Sequence, residues 1–308
     1  MARWSFDSVS IVVCTYNRAD SLVDTLNSLA MLEIPGGIKT ELLIIDNNSK
    51  DHTPEVVSGF SDHPLRIRYV FEKAQGLSFA RNRALDEASG DVIVFTDDDV
   101  LPNSVWLKGI VQDFQSDDAL GVVGGKILPD WKSKQPSWLG IDLYPYLALL
   151  DYGEERQILL DKPVWGANMA FATANLKQAG GFDTGIGRAG TKLYAGEETD
   201  VINTIRDNGK QVLYDPSLVV LHRVDLDRLK KRYFIKWVWD NGELDSTEDV
   251  SSLTDKSLLG VPRFQFGILY RHFIKILFAS SNERFHRFLL FVRQLSCVWH
   301  SLSFYTKQ

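Results

Sequence analysis

An α/β fold is predicted by three features of this 308-residue sequence: short apolar runs alternating with helical patterns, polar clusters where those runs end, and 44% hydrophobic residues, enough for a substantial core. The expectation is a Rossmann-like, mostly parallel sheet flanked by helices, with a helical C-terminal appendage. Ser10-Ile11-Val12-Val13-Cys14 reads as a buried strand, and Leu22, Leu26 and Leu29 then recur at helical spacing. A second strand is predicted over 41–46 with a helix from Pro54, and a third over 67–71 with a helix over 77–88. Val92-Ile93-Val94-Phe95 is the fourth, followed by Asp97, Asp98 and Asp99 and a helix near 104–114. Four such units place ligands at the carboxyl ends of the strands. Past Gly125 the alternation stops and Pro129, Trp131, Pro136, Trp138, Pro145 and Trp165 punctuate an irregular, acceptor-facing stretch. Helical patterning returns at 175–180 and 200–208, and strand character at 211–214 and 218–221.

Composition narrows the function class. Cys14 and Cys297 are far apart and form no CxxC pair, which excludes a disulfide framework and a zinc knuckle and points to a reducing, cytoplasmic setting. No apolar leader precedes the first strand. Residues 256–308 hold eight Lys/Arg against Glu283 alone, a net +7, so the rest of the chain carries −13 of the total −6. An acidic body excludes nucleic acid as a partner, whereas a basic, aromatic tail can meet an anionic membrane surface.

Asp97, Asp98 and Asp99 emerge where the fourth strand ends. Adjacent carboxylates repel unless a cation or donors compensate them, and Mg²⁺ and Mn²⁺ take oxygen ligands of this kind alongside substrate phosphates. The bland alternative is a solvated turn. Two other strand ends carry groups suited to a nucleotide: Thr15-Tyr16-Asn17-Arg18, whose Tyr16 can stack a base, and Asp46-Asn47-Asn48-Ser49, whose Asp46 can accept a ring N–H.

The combination of 9–18 (Val9 to Arg18), 42–51 (Leu42 to Asp51), 76–85 (Gly76 to Leu85) and Phe95-Thr96-Asp97-Asp98-Asp99 resembles glycosyltransferase family 2, of the GT-A fold. The likeness continues through Gly166-Ala167-Asn168, Gly180-Gly181-Phe182-Asp183 and Gly196-Glu197-Glu198-Thr199-Asp200, covering roughly 8–222. It implies a catalytic domain over 1–225, with a nucleotide-binding half at 1–125 and an acceptor-binding half at 126–225, and leaves 226–308 as the helical region. It further implies that Thr15, Tyr16, Asn17, Asp46, Arg81, Asp97 and Asp98 line the nucleotide pocket and that Asp99 sits on the metal, Mn²⁺ or Mg²⁺. A histidine at the place of His222 can complete the metal shell or be structural. Trp165, Gly166 and Asn168 border the donor sugar or acceptor, with Trp165 as simple core the alternative.

The acidic run after Gly196 opens a predicted helix, where acids also favour the macrodipole. The family places an acidic pair here whose second member is the general base. That position is Glu198, a departure from the usual Asp, so Glu197 and Asp200 stay open beside it. Two acidic sites suit an inverting transfer: one cation neutralises the leaving diphosphate, and one carboxylate takes the proton of the attacking hydroxyl. The donor would be a UDP-, GDP- or dTDP-sugar and the acceptor a saccharide or lipid-linked glycan. A sugar-nucleotide nucleotidyltransferase would instead need a glycine-rich, basic loop after the first strand, which Thr15 to Arg18 is not; a non-catalytic sugar or membrane adaptor would not need both acidic sites.

Gly185-Ile186-Gly187-Arg188-Ala189-Gly190 matches GxGxxG, but no buried strand precedes it, so it reads as a mobile loop over the donor sugar and not as a dinucleotide fingerprint. From Phe264 to Trp299 the chain is apolar yet broken by Arg271, Lys275, Arg284, Arg287 and Arg293 before any run reaches the ~18 residues of a spanning helix. These residues form either an interfacial helix pair or helices packed on the protein or in a homodimer.

Overall fold

A computed structural model describes residues 6–188, 192–251, 257–258, 261–281 and 283–305. Lys256 and Lys307 of the basic tail, and Ala189 and Gly190 of the glycine loop, lie outside the described residues.

The chain divides into two compact units. The first holds Met1–Asp130, Ala148–Gly190 and Gly196–Arg223. Its elements are β1 (Ser8–Thr15), α1 (Ala19–Leu29), β2 (Lys39–Asp46), α2 (Thr53–Ser58), β3 (Arg66–Phe71), α3 (Leu77–Glu87), β4 (Val92–Asp97), β5 (Val100–Pro102), α4 (Trp106–Ser116), β6 (Leu120–Trp131), β7 (Gln157–Ile158), β8 (Met169–Ala172), α5 (Thr173–Gln178), α6 (Glu197–Asp207) and β9 (Gln211–Val224). The sheet order is β3-β2-β1-β4-β8-β6-β9-β5, with β7 also on β9. β3, β2, β1 and β4 run parallel, in register from Ser8 opposite Lys39 to Thr15 opposite Asp46. That parallel half is the predicted βα series. Apolar runs fill the middle of β1 and β2 and the start of β4, as suits parallel strands covered on both faces, and Ile11, Val12, Leu43, Ile44, Val92 and Val94 are fully buried.

The second half of the sheet is antiparallel, and periodicity had left most of it irregular. β8 pairs with β4 and β6, and β5 and β7 pair with β9. β9 runs unbroken through Asp215 and Pro216, where the sequence predicts two separate strands. β5 is only three residues long, too short for any pattern to announce, yet it begins immediately after the acidic triplet. Gly90 and Gly125 admit no side chain: a Cβ would meet the backbone at 2.4 Å (Ser10 N) and 2.1 Å (Leu218 O).

The second unit holds Trp131–Leu147, Thr191–Ala195 and Val224–Gln308. It contains α7 (Lys231–Ser251), a two-stranded hairpin of β10 (Ser257–Leu258) and β11 (Val261–Pro262), α8 (Arg263–Leu277) and α9 (Arg284–Tyr305). An aromatic cluster holds it: Phe234 lies edge-on to Trp138, Tyr146 and Phe285 at centroid distances of 5.5, 5.9 and 6.1 Å. Gly242 of α7 allows close passage of α9, since a Cβ would stand 2.2 Å from Arg293 O.

Candidate active site

The site grows from the ends of β1, β2 and β4. Asp97 closes β4, half-buried, and Asp98 and Asp99 follow it, both buried. β5 then pairs antiparallel with β9, setting Val100 opposite His222, and Arg223 N donates to Asp99 O at 2.9 Å. A histidine remote in sequence is thereby fixed beside the triplet, with Nε2 3.2 Å from Asp99 Oδ1. One ligand atom each from Asp97, Asp99 and His222 lies within 4.8 Å of the other two. Two carboxylate oxygens and an imidazole nitrogen are a donor set that would hold a divalent cation. These residues fit a divalent metal.

Arg18 supplies a positive charge to the same cluster. Its guanidinium bonds Asp98 Oδ1 at 3.0 Å and Asp99 Oδ2. Burial opposes the Arg18 charge, but Asp99 and Asp98 outweigh it and raise its pKa. Asp98 turns inward: it accepts from Thr15 Oγ1 at 2.7 Å, and its carbonyl accepts from Ser21 Oγ at 2.8 Å. Burial pushes the Asp98 carboxyl up to about 6, against the pull of Arg18.

The loops after β1 and β2 brace each other. Asn17, at φ +52°, donates its N–H to Ser49 Oγ at 3.0 Å and accepts from Lys50 N at 2.7 Å. Asp46 accepts from Ser49 N at 2.8 Å and from the Tyr69 hydroxyl at 2.7 Å. Thr15, Asp46 and Asp98 are thus buried and hydrogen-bonded within the protein, whereas the Tyr16 ring is 39% exposed at the strand end.

The second acidic cluster opens α6. Gly196, at φ +130°, is its N-cap, and Glu197, Glu198 and Asp200 occupy the first turn, where the helix dipole favours them. Arg81, on α3, meets this pair. Its Nη1 bonds Glu197 Oε1 at 2.9 Å, its Nη2 bonds Glu198 Oε1 at 3.0 Å, and its plane lies 5.3 Å from the Phe182 ring centroid. Burial opposes the Arg81 charge, yet Glu198, Glu197 and Asp97 together raise its pKa. Burial and the neighbouring Glu198 push Glu197 up to about 7, and its Oε2 has no hydrogen-bond partner among the described residues. Glu198 is the more accessible of the two and also accepts from Gly166 N at 3.3 Å.

Gly166 sits where β8 returns antiparallel to β4, with Thr96 Oγ1 donating to Ala167 O at 3.0 Å. A Cβ there would stand 1.9 Å from Arg81 Nη2 and 2.8 Å from Glu198 Oε1.

Asn168, expected beside the donor sugar or acceptor, is buried: it accepts from Trp106 Nε1 at 2.8 Å and donates to Lys126 O at 2.9 Å and Leu218 O at 2.8 Å, so its amide ties α4, β6 and β9 together. Asp200 stands three residues on from Glu197 in the first turn of α6 and is exposed, whereas Glu197 and Glu198 are held by Arg81. Trp165 is half-buried beside Gly166. Arg18 was not singled out as a site residue, although a cation after Tyr16-Asn17 facing three carboxylates was the available signal. Tyr69 had no signal, since its β3 position shows no pattern beyond the strand.

Fold and site together define a GT-A glycosyltransferase: a Rossmann-like half-sheet with an Asp-Asp-His cluster after β4, and a second carboxylate pair at a helix start. The chain belongs to glycosyltransferase family 2, whose description, Glycosyl transferase family 2, matches residues 10–177. It is 27% identical over 220 residues to the glucosyl-dolichyl phosphate glucuronosyltransferase of Haloferax volcanii, covering 70% of this chain and 69% of that one. It is 25% identical over 237 residues to the succinoglycan biosynthesis protein ExoM of Rhizobium meliloti, covering 76% and 73%. In fold it is similar to the mannosyltransferase PcManGT from Pyrobaculum calidifontis, solved in complex with GDP-Man and Mn²⁺, with TM-score 0.60 and 20% identity over 99% of this chain and 74% of that one.

Proposed function

We propose that this protein transfers one sugar from a nucleoside-diphosphate sugar to an acceptor hydroxyl with inversion at the anomeric carbon, in the assembly of a polysaccharide or glycolipid. The observation that carries the reading is the pairing of two differently equipped acidic sites: Asp97, Asp99 and His222 with metal-ligand spacing, and Glu198 held by Arg81 and Gly166 N.

In this reading Asp97, Asp99 and His222 hold Mn²⁺ or Mg²⁺, which when bound supplies positive charge for the departing diphosphate. Tyr16 stacks the base, with Asn17 and Asp46 fixing the shape of its pocket. Glu198 removes the proton of the acceptor hydroxyl as its oxygen bonds the anomeric carbon and the bond from that carbon to the diphosphate oxygen breaks. Arg81 keeps Glu198 oriented through the hydrogen bond from its Nη2 to Glu198 Oε1 at 3.0 Å. Glu197, pushed up to about 7 by burial and the neighbouring Glu198, can carry a proton near neutral pH. The acceptor chemistry, a saccharide or a lipid-linked glycan, is carried over from the names of the two relatives.

The test is a thermal-shift screen with UDP, GDP and dTDP in Mn²⁺ or Mg²⁺, followed by hydrolysis assays on a panel of the matching nucleotide-sugars. Stabilisation by one nucleotide only in the presence of metal is expected. Failure of all three nucleotides with either metal would sink the reading.

A further inference from the structure

The second unit presents a surface that the transfer reaction does not explain. On α8, Phe264, Tyr270, Phe273 and Leu277 are 55, 65, 48 and 59% exposed, and Phe278, at its C-terminal end, is 84% exposed. At 100° per residue these five fall on one half of the helix, while Gln265, on the other half, is buried. Burying such side chains within the unit would be worth far more than exposing them, so this half of the helix is built to be covered by something else.

The charges on the same helix say what covers it. Arg263, Arg271 and Lys275 are exposed among the apolar rings, and α8 contains no acid. The surface continues onto α9, whose Phe291 ring lies 6.1 Å from that of Phe273. There Phe288, Leu295 and Trp299, spaced seven and four residues apart, form an exposed stripe behind Arg284. Arg293 is excluded from this surface, since Asp245 Oδ2 and Oδ1 hold it at 2.7 and 2.8 Å.

We propose that this α8–α9 face docks flat on an anionic lipid bilayer. Fifteen residues of α8 extend about 22 Å, short of a bilayer's hydrocarbon core, and no described helix is long and apolar enough to cross one. Lying in the interface, the rings enter the acyl boundary while Arg263, Arg271 and Lys275 reach lipid phosphates. A second copy is the poorer occupant: a two-fold contact sets each patch of cations against its own image, with no acid on α8 to receive them. Each basic residue held near an anionic surface strengthens partitioning roughly fivefold.

The experiment is flotation of the full-length protein, without nucleotide-sugar, with vesicles of phosphatidylcholine alone or with about 30% phosphatidylglycerol. Binding is expected to the anionic vesicles only, falling steeply when salt rises from about 0.1 to 0.5 M. Phe264→Ser with Phe278→Ser should lower it about tenfold or more, and Arg271→Gln with Lys275→Gln about twentyfold, both with unchanged melting temperature because these side chains are exposed. Absence of binding to anionic vesicles, or binding indifferent to both double variants, overturns the proposal. A dimer in light scattering that Phe264→Ser with Phe278→Ser converts to monomer also overturns it and gives the face to a second copy. Glu198→Gln should float as the unaltered chain does, which separates this outcome from the fate of the transfer reading.

Discussion

The two acidic clusters of the first unit are built to one plan, carboxylates at an element's end clamped by an arginine from elsewhere, but they differ in how tightly the arginine is committed. Arg81 is 3% exposed, stacks on Phe182 and bonds both Glu197 and Glu198. Arg18 is 28% exposed and reaches Asp98 and Asp99 from the end of β1. Asp99 shares its other oxygen with His222, so a divalent cation can take over the charge balance there. In the second cluster, among the described residues, the acids have a helix N-terminus, the Gly166 N–H, Arg81 and the nearby charge of Arg188. The lesson is that a buried carboxylate pair with a permanent guanidinium suits proton transfer, whereas one with a displaceable cation suits ligand exchange.

That contrast can be broken at several points. Glu198→Gln should retain metal-dependent donor binding and lose transfer by about 10²–10⁴-fold, whereas Asp99→Ala should lose metal-dependent donor binding itself; calorimetry and initial rates measure the two. Equal loss of donor binding in both variants would abolish the division of labour. Arg81→Gln leaves Glu197 and Glu198 buried against each other and should destabilise the fold by about 3–5 kcal/mol in chemical denaturation, with no rescue by Mn²⁺. Arg18→Ala should cost about 1–3 kcal/mol in the absence of metal and gain more from added Mn²⁺ than the unaltered chain does. A smaller rescue than in the unaltered chain would mean that Arg18 and the cation do not share a place. The smallest effect concerns pH. Because the Glu197 pKa is raised to about 7, its favourable contribution is fully present below about pH 4.5 and is lost as pH rises through 7. Relative to Glu197→Gln, the unaltered chain should therefore lose melting temperature across that window, and parallel curves would remove Glu197 from the proton inventory.

Much of this was legible before any coordinates. Parallel strands buried on both faces are continuous apolar runs, so β1, β2 and β4 announced themselves, and the polar residues at their ends marked the site. The antiparallel half was not legible. β6 carries Gly124 and Gly125, which look like a break but serve close packing against Val164 and Leu218. The family resemblance pointed to Asp99, His222 and Glu198 but not to their partners: that Arg81 serves the acidic pair and Asn168 the sheet follows from tertiary pairing, which no local spacing encodes.

Gly166 has a practical corollary. Because its missing methyl group is what allows Arg81 and Glu198 to meet, Gly166→Ala would prise that couple apart while leaving every ionisable residue in the chain unchanged. Since the formal charge of that variant is unaltered, any change in its behaviour would report on the Arg81–Glu198 couple and not on a missing charge.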